Sequence, residues 1–456
     1  MNGPKVVLIG AGSAFFGRST ICGMVSKPAL AEGVLTLVDV NEKLLKTLET
    51  IARGAVEAKG VPLKIEATTD YRTALKDADF VILAFAVEGV KLRGIDSRIS
   101  TEHGMVMCSG DTIGPGGTMR TLREVPRQQE MMLEIEKQCP DAWVINWVNP
   151  TSAMGIAMMR HFPHIRSLAI CDGPHNPRFE NDLIVKAGIA ETAADIDEQV
   201  RSRVKIRDSG VNHFTWLVEM TYDGEDMMPQ VIDALKQDIS AEHHAAAEDS
   251  KRRNSAAIAH QLATAVGYVP TCIWHTMEYL PFFQGRDAGD EGKLAISQWS
   301  EDLRWKWMNE IWTNMEQIAS GEGMAEYLEK PEIDHACDII EDMWTKGGQR
   351  FYINTKNRGA ITNMGDDAFM ELPCTVDMNG VYPLHFGEMP RPLAGWCQHI
   401  LDEHELAVEA AVTCDRTILR RAFLASMLAQ SIPDIDRCID ELLAAEREYL
   451  PETWFQ

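Results

Sequence analysis

A dinucleotide is bound where a glycine turn joins a buried strand to a helix and an acid closes the next strand, and this chain has those parts in Gly10-Ala11-Gly12-Ser13 and Asp39. Residues without a Cβ let backbone N–H groups approach a pyrophosphate at the positive end of the following helix. Gly10 and Gly12 meet that need. The third position of the usual G-x-G-x-x-G holds Phe15, followed by Phe16 and then Gly17, so the fingerprint is a variant. Asp39 stands roughly twenty residues beyond the turn, where an acid accepts both ribose hydroxyls and repels the extra phosphate of NADP, favouring NAD. Each feature also has a plainer reading, since glycine turns arise for packing and an aspartate before Asn41 can simply shape a surface turn. Elsewhere, Cys171 and His213 offer a sulfur and a nitrogen of the kind that bind a metal. Taken singly, they read more readily as a buried strand-end cysteine and a satisfied core histidine. Tyr268 reads on its own as an aromatic packing in a Gly-Tyr turn, since a tyrosine becomes a base only where a cation lowers its pKa from about 10.

The elements that must position these residues change character along the chain. Val6 to Ile9 reads as a buried strand followed by a helical pattern through Cys22 to Val25, and Leu35 to Val38 as a second strand ending at Asp39. Further strands are expected at Phe80 to Ala84 and Trp143 to Trp147, with helices between them. Residues 1–190 therefore read as an α/β, Rossmann-like dinucleotide-binding domain. Beyond Ala190 helical patterns predominate, around Met228 to Gln261, Leu294 to Ile318 and Gly395 to Leu428, while Phe351 to Pro390 suggests strands and turns. Residues 191–456 are expected to form a mainly helical α+β domain that completes the substrate cleft and carries oligomer contacts.

At 456 residues the chain exceeds the size at which one core keeps growing, which favours two domains. Hydrophobic residues at 45% and charged residues at 25% describe a folded protein able to build a deep cleft. A formal charge of −24 argues against nucleic acid and anionic membrane as partners, since both would need clustered cations. Met1-Asn2-Gly3-Pro4-Lys5 runs straight into the first strand without a signal-peptide pattern, and no apolar run nears the roughly 18 residues of a membrane span. The ten cysteines contain no CxxC pair, so a reducing cytoplasm is the expected location.

Taken together, Gly10-Ala11-Gly12-Ser13, Gly110-Asp111-Thr112-Ile113-Gly114-Pro115-Gly116-Gly117 with Arg120, Leu122 and Arg123, and Asn149-Pro150 resemble hallmarks of glycoside hydrolase family four. So do Cys171-Asp172, Gly210-Val211-Asn212-His213-Phe214, Gly267-Tyr268, His275, Glu278-Tyr279, Asn357-Arg358-Gly359-Ala360-Ile361 and Asn379-Gly380, in the family's order over almost the whole chain. The resemblance implies NAD, a divalent metal, usually Mn²⁺, and a homodimer or homotetramer. It also implies an exceptional glycosidase mechanism, in which the sugar is oxidised at C3, loses its C2 proton, expels the C1 substituent, takes up water and is reduced again.

The same resemblance assigns roles. Cys171 and His213 would hold the metal with positions left for the sugar, Tyr268 would take the C2 proton, and Asp172 would be the general acid or support Cys171. Family members for unmodified α-hexosides commonly have Cys-His where this chain has Cys171-Asp172, which some phospho-α-glucosidases share. The Gly-Asp-Thr form at Asp111 instead resembles the subfamily for unmodified hexosides, with Asp111 and Asn149 on the sugar hydroxyls. His275 and Arg286 are further pocket candidates, and Arg286 could meet a uronic acid carboxylate. The expected substrate is an unphosphorylated α-glucoside or α-galactoside, with a uronide or 6-phosphoglycoside as alternatives. A lactate/malate-type dehydrogenase would share the opening unit and Asp39 without calling for Cys171, and a nucleotide-binding scaffold would retain the fold without the chemistry.

Overall fold

Val6, Val7, Leu8 and Ile9 are all buried, with no in-and-out alternation, as a strand covered by helices on both faces requires. A computed structural model of the chain describes residues 3–13, 15–171, 173–245, 254–284, 294–329 and 334–456, apart from the side chains of 240–245. In it, β1 (Lys5–Ile9), β2 (Val34–Val38), β3 (Lys64–Thr68), β4 (Phe80–Leu83), β5 (Trp143–Asn146) and β6 (Ser167–Ala169) form a parallel sheet in the order β3-β2-β1-β4-β5-β6. The order reverses between β1 and β4, and at such a point the strands' carboxyl ends diverge and leave a crevice for a ligand. The helix Phe16–Ser26 leaves β1 through the glycine turn, and the helix Glu42–Lys59 starts where Asn41 accepts a bond from the Leu44 N–H at 3.1 Å.

The second half extends this sheet. It adds β7 (Val204–Val211), β8 (Phe214–Tyr222), β9 (Glu225–Asp226), β10 (Val269–Pro270), β11 (Phe351–Lys356), β12 (Phe369–Asp377) and β13 (Gly380–Pro383), all antiparallel to their neighbours. β11 joins β6 through Asn354 and Ala169, and β12 joins β7 through Glu371 and Gly210, so one sheet runs from β3 to β10 across both halves. The main core is equally continuous, with Leu8, Ile82 and Ile145 in the same cluster as Ile340, Ile400 and Leu442. Among the described residues no helix is long and apolar enough to cross a membrane.

The Rossmann-like half follows the expected strands to within a residue at each end. The helical stretches of the second half are more divided than expected. Met228 to Gln261 falls in two helices, Met228–Ala245 and Ser255–Val266, and Gly395 to Leu428 falls in Arg391–Thr413 and Arg416–Ala425, parted at Cys414 with φ +54°. The helix expected from Leu294 begins at Glu301, where the Ser300 hydroxyl accepts from the Leu303 N–H, and runs to Ala319. The β7–β8 hairpin was not foreseen among the helices after Ala190. Its register shifts at Arg207/Asp208, which breaks the two-residue alternation, and its Asn212-His213 connection lacks the glycine that usually marks such a turn.

Ionic ties also cross the fold. Arg123, on the glycine-led helix Gly114–Gln138, is buried between Asp96 at 2.9 Å and Glu446 at 2.5 Å. Asp96 lies on the helix Gly89–Glu102 and Glu446 follows the helix Ile432–Ala445, so the triad fastens the end of the chain to the first half. Removing the cation leaves two acids buried without it. Arg123→Met is therefore expected to destabilise the fold by about 3–5 kcal/mol, read from the shift in urea-unfolding midpoint. A loss under about 1 kcal/mol, the scale of an exposed pair, would show that the triad does not tie the structure together.

Candidate active site

At the glycine turn, Gly10 has φ +91°, and a Cβ there would stand 2.5 Å from the backbone of Ala84 and Phe85. Gly17 is constrained differently, because a Cβ would lie 2.1 Å from the Ala11 carbonyl oxygen. It performs the helix–strand packing of a third glycine, which leaves Phe15 to turn its ring elsewhere. Gly12 N–H donates to Asp39 Oδ2 at 2.7 Å, while Asn41 N–H donates to Oδ1 at 2.8 Å, so the acid is locked against the turn. Phe16 stacks on Trp147 at 4.2 Å, and Phe15 lies 4.5 Å from Trp307 between ring centroids. Gly10, Gly12, Ser13, Phe15, Phe16 and Asp39 all line one cavity of about 2050 Å³. A single small-ligand pocket is usually about 300–1,000 Å³, so this one has room for a dinucleotide and a second molecule.

Asp111, Asn149, Cys171 and His275 line the same cavity. Asp111 Oδ2 receives Arg120 at 2.9 Å, Arg93 at 3.1 Å and the Asn149 amide at 3.3 Å. Asn149 precedes a cis Pro150, and its Oδ1 accepts the Thr151 hydroxyl at 2.8 Å. Cys171 Sγ meets His213 Nε2 at 2.7 Å, both side chains being buried. His213 stacks face to face on His275 at 3.8 Å, and its Nδ1 lies 3.2 Å from Cys272 Sγ. Its backbone has φ +61°, and its N–H donates to Glu371 Oε2 at 3.2 Å. The imidazole is thus gripped on its ring face, on both nitrogens and through its main chain.

The loop that carries Asp111 has no strand to pair with and is fixed by buried side chains from the second half. Glu278 Oε2 accepts the N–H groups of Ser109 at 2.6 Å and Gly110 at 3.1 Å, and its Oε1 accepts the Thr112 hydroxyl at 3.1 Å. Glu403 Oε1 accepts the Gly114 N–H at 2.5 Å, and His404 Nε2 donates to the Thr112 carbonyl at 2.8 Å. Burial pushes the Glu403 carboxyl up to about 8, against the pull of the Gly114 N–H. Burial pushes His404 down to about 4, keeping it neutral.

The structure therefore brings together the cofactor-turn residues, Asp111, Asn149, Cys171, His213 and His275. Tyr268 stands between the helix Ser255–Val266 and β10, half-buried against the core and outside the cavity wall, although Thr271 and Cys272 just beyond it line that wall. Asp172 and Arg286 lie outside the described residues. Arg93, Cys272, Glu371 and Glu403 were not singled out from the sequence, where each sits in an ordinary helix, turn or strand context. Only the pairing of distant segments gives them partners.

These residues fit the groups their chemistry suggests. The turn presents close backbone and a held acid to a dinucleotide, and a thiol and an imidazole at one point of the cavity are donors suited to a divalent transition metal. Residues 5–180 match the sequence model of the family 4 glycosyl hydrolases, and residues 209–429 match that of the family 4 glycosyl hydrolase C-terminal domain. The chain is 29% identical to a Bacillus subtilis protein named "Probable 6-phospho-beta-glucosidase", covering 99% of this chain and 98% of that one. It is 28% identical to a Bacillus subtilis alpha-galactosidase, covering 98% and 99%. The solved structure of a 6-phospho-alpha-glucosidase from gut microorganisms, in complex with NAD and Mn²⁺, shares the fold with a TM-score of 0.78 at 21% identity, over 98% of this chain and 99% of that one.

A carboxyl whose pKa is raised on folding favours the folded state below its unfolded value and loses that contribution as pH rises through the folded value. For Glu403 the window runs from the ordinary carboxylate range up to about 8. Gln keeps an acceptor for the Gly114 N–H and cannot ionise. The melting temperature of Glu403→Gln relative to the parent should therefore rise steadily between about pH 5 and pH 8, measured by thermal scans at constant ionic strength. A difference independent of pH over that window would show that Glu403 is not held protonated.

Proposed function

The chain belongs to the family 4 glycosyl hydrolases, and from that premise we propose that it hydrolyses an unphosphorylated α-glucoside or α-galactoside with NAD and Mn²⁺ in the shared cavity. Names among its relatives point to both phosphorylated and unmodified sugars, so the choice rests on Asp111. A 6-phosphate brings a dianion that needs cations able to turn toward it. The guanidinium groups of Arg93 and Arg120 are both bonded to one Asp111 oxygen, which supports a neutral sugar, with the carboxylate accepting from its hydroxyls.

In this proposal Cys171 and His213 hold the ion, and Gly10, Gly12, Ser13, Phe15, Phe16 and Asp39 hold the dinucleotide. The two groups supply reversible oxidation at C3 and polarisation of the neighbouring oxygen, which acidifies the C2 proton. The chain's own residues do the rest. Asn149 orients the C2 and C3 hydroxyls as donor and acceptor, and His275 and Arg286 shape the pocket around the ring. The family resemblance gives the C2 proton to Tyr268, which lies outside the wall three residues before the cavity-lining Thr271, so this role requires its ring to turn inward; Asp172 gives a proton to the departing C1 oxygen, water then adds and the proton returns to C2. The division near residue 190, a cytoplasmic location and a homodimer or homotetramer belong to the same proposal.

Metal- and cofactor-depleted protein is expected to release p-nitrophenol from an α-hexoside only when both NAD and Mn²⁺ are restored, with deuterium entering at C2 in heavy water. Release from 6-phosphohexosides or uronides alone would overturn the substrate assignment. Stoichiometric NADH formation from a 2-hydroxy acid, with no glycoside turned over, would overturn the mechanism. Asp111→Asn frees both guanidinium groups; kcat/KM on the unmodified hexoside should fall about 100-fold while the preference against its 6-phosphate narrows. An unchanged preference would dissociate Asp111 from substrate choice.

A further inference from the structure

Hydride transfer between a sugar and a dinucleotide depends on the separation of the two reacting carbons, so the parts that hold each molecule must be fixed to one another. In this chain those parts are separate loops. The glycine turn borders the loop that follows β4, where a Cβ on Gly10 would meet the backbone of Ala84 and Phe85 at 2.5 Å. That loop stands across the reversal of strand order from β1 and puts Ala84, Phe85, Ala86 and Glu88 on the cavity wall. Asp111, the proposed sugar anchor, lies on another loop and is held by Arg120 Nη1 at 2.9 Å.

One buried side chain reaches both. Glu124 lies on the helix Gly114–Gln138, about one turn beyond Arg120 and on the same face. Its Oε1 and Oε2 accept the Val87 N–H at 3.1 and 3.3 Å, and Oε1 lies 3.6 Å from Arg120 Nε. Val87 sits between two exposed residues, Ala86 and Glu88, and Glu88 has φ +46°. A left-handed glutamate beside an N–H that belongs to no strand ladder calls for an outside restraint, and the Glu124 carboxyl group provides it. Burial raises the pKa of that carboxyl, and the guanidinium groups of Arg120 and Arg123 pull it back down. Arg123 is itself clamped by Asp96 and Glu446, which fixes the helix that carries Glu124.

We propose that Glu124 is a positioning residue for the redox step, one carboxyl group that holds the Val87 loop and Arg120 together and so fixes the cofactor-side wall against the Asp111 anchor. This rests on the reading of the cavity as a joint site for NAD and a sugar. It adds a residue that acts from behind the cavity wall, through Val87 and Arg120.

Glu124→Gln keeps the size of the side chain, but its NH₂ group must face either the Val87 N–H or Arg120. Hydrogen exchange read by mass spectrometry tests the grip without any ligand. The Val87 amide of the unsubstituted protein should be protected, and in Glu124→Gln its exchange should quicken about tenfold, the scale of one hydrogen bond, while peptides from β1 and β5 stay unchanged. With NAD, Mn²⁺ and a p-nitrophenyl α-hexoside, kcat should fall about tenfold, while KM for the glycoside and the NAD affinity from titration calorimetry each stay within about threefold. The primary isotope effect from deuterium at C3 should rise, because hydride transfer slows relative to the other steps. An unprotected Val87 amide in the unsubstituted protein overturns the proposal, as does an unchanged kcat or a loss confined to one binding constant. An unsubstituted protein that turns over no glycoside, with the exchange results intact, would instead remove the glycosidase reading and leave the loop restraint standing.

Discussion

A buried backbone N–H that has no ladder partner must find another acceptor, and the loop from Ser109 to Gly114 finds its acceptors in the carboxyl groups of Glu278 and Glu403. Leaving such groups unpaired costs on the order of 1–3 kcal/mol each, so these acids decide the loop's shape. Both come from the second half of the chain, and Asp111 lies between the segments they hold. The consequence is mutual dependence: the first half supplies the cofactor turn and the Asp111 loop, while the second half determines where that loop stands.

Charge is used locally against a negative whole. Arg93 and Arg120 converge on Asp111 in the cavity wall, and their cost of burial is offset by the carboxylate between them. Beside the glycine turn, the Arg304 guanidinium lies against the rings of Phe15 and Trp307.

The Rossmann-like half was legible because its signals are local. Continuous apolar runs, a glycine turn and an acid at the next strand end are all readable within forty residues. The packing role of Gly17 was not, because its reason is the Ala11 carbonyl that the folded turn brings against it. Cys171 and His213 carried chemistry that residue type suggested and only the family resemblance joined. Glu371 and Glu403 carried no comparable signal, since an acid in a strand or on a helix is ordinary until its distant partners are known. The β7–β8 hairpin hid for a related reason: a bulge interrupts its alternation and a histidine occupies its left-handed turn.

Sheet register explains how Cys171 and His213 come to touch. Asn146, Ala169, Asn354, Glu371 and Gly210 are successive cross-strand partners, forming one row across β5, β6, β11, β12 and β7. Cys171 follows Ala169 by two residues and His213 follows Gly210 by three, so both leave the sheet from the same row. Glu371 stands within that row and reaches the His213 N–H from it. A slip of β12 by one residue would turn Glu371 to the opposite face and withdraw the acceptor that holds His213 in its left-handed conformation. Pairing between β11, β12 and β7 therefore sets the geometry of the Cys171–His213 contact, and residues distant in sequence fix the separation of the two side chains.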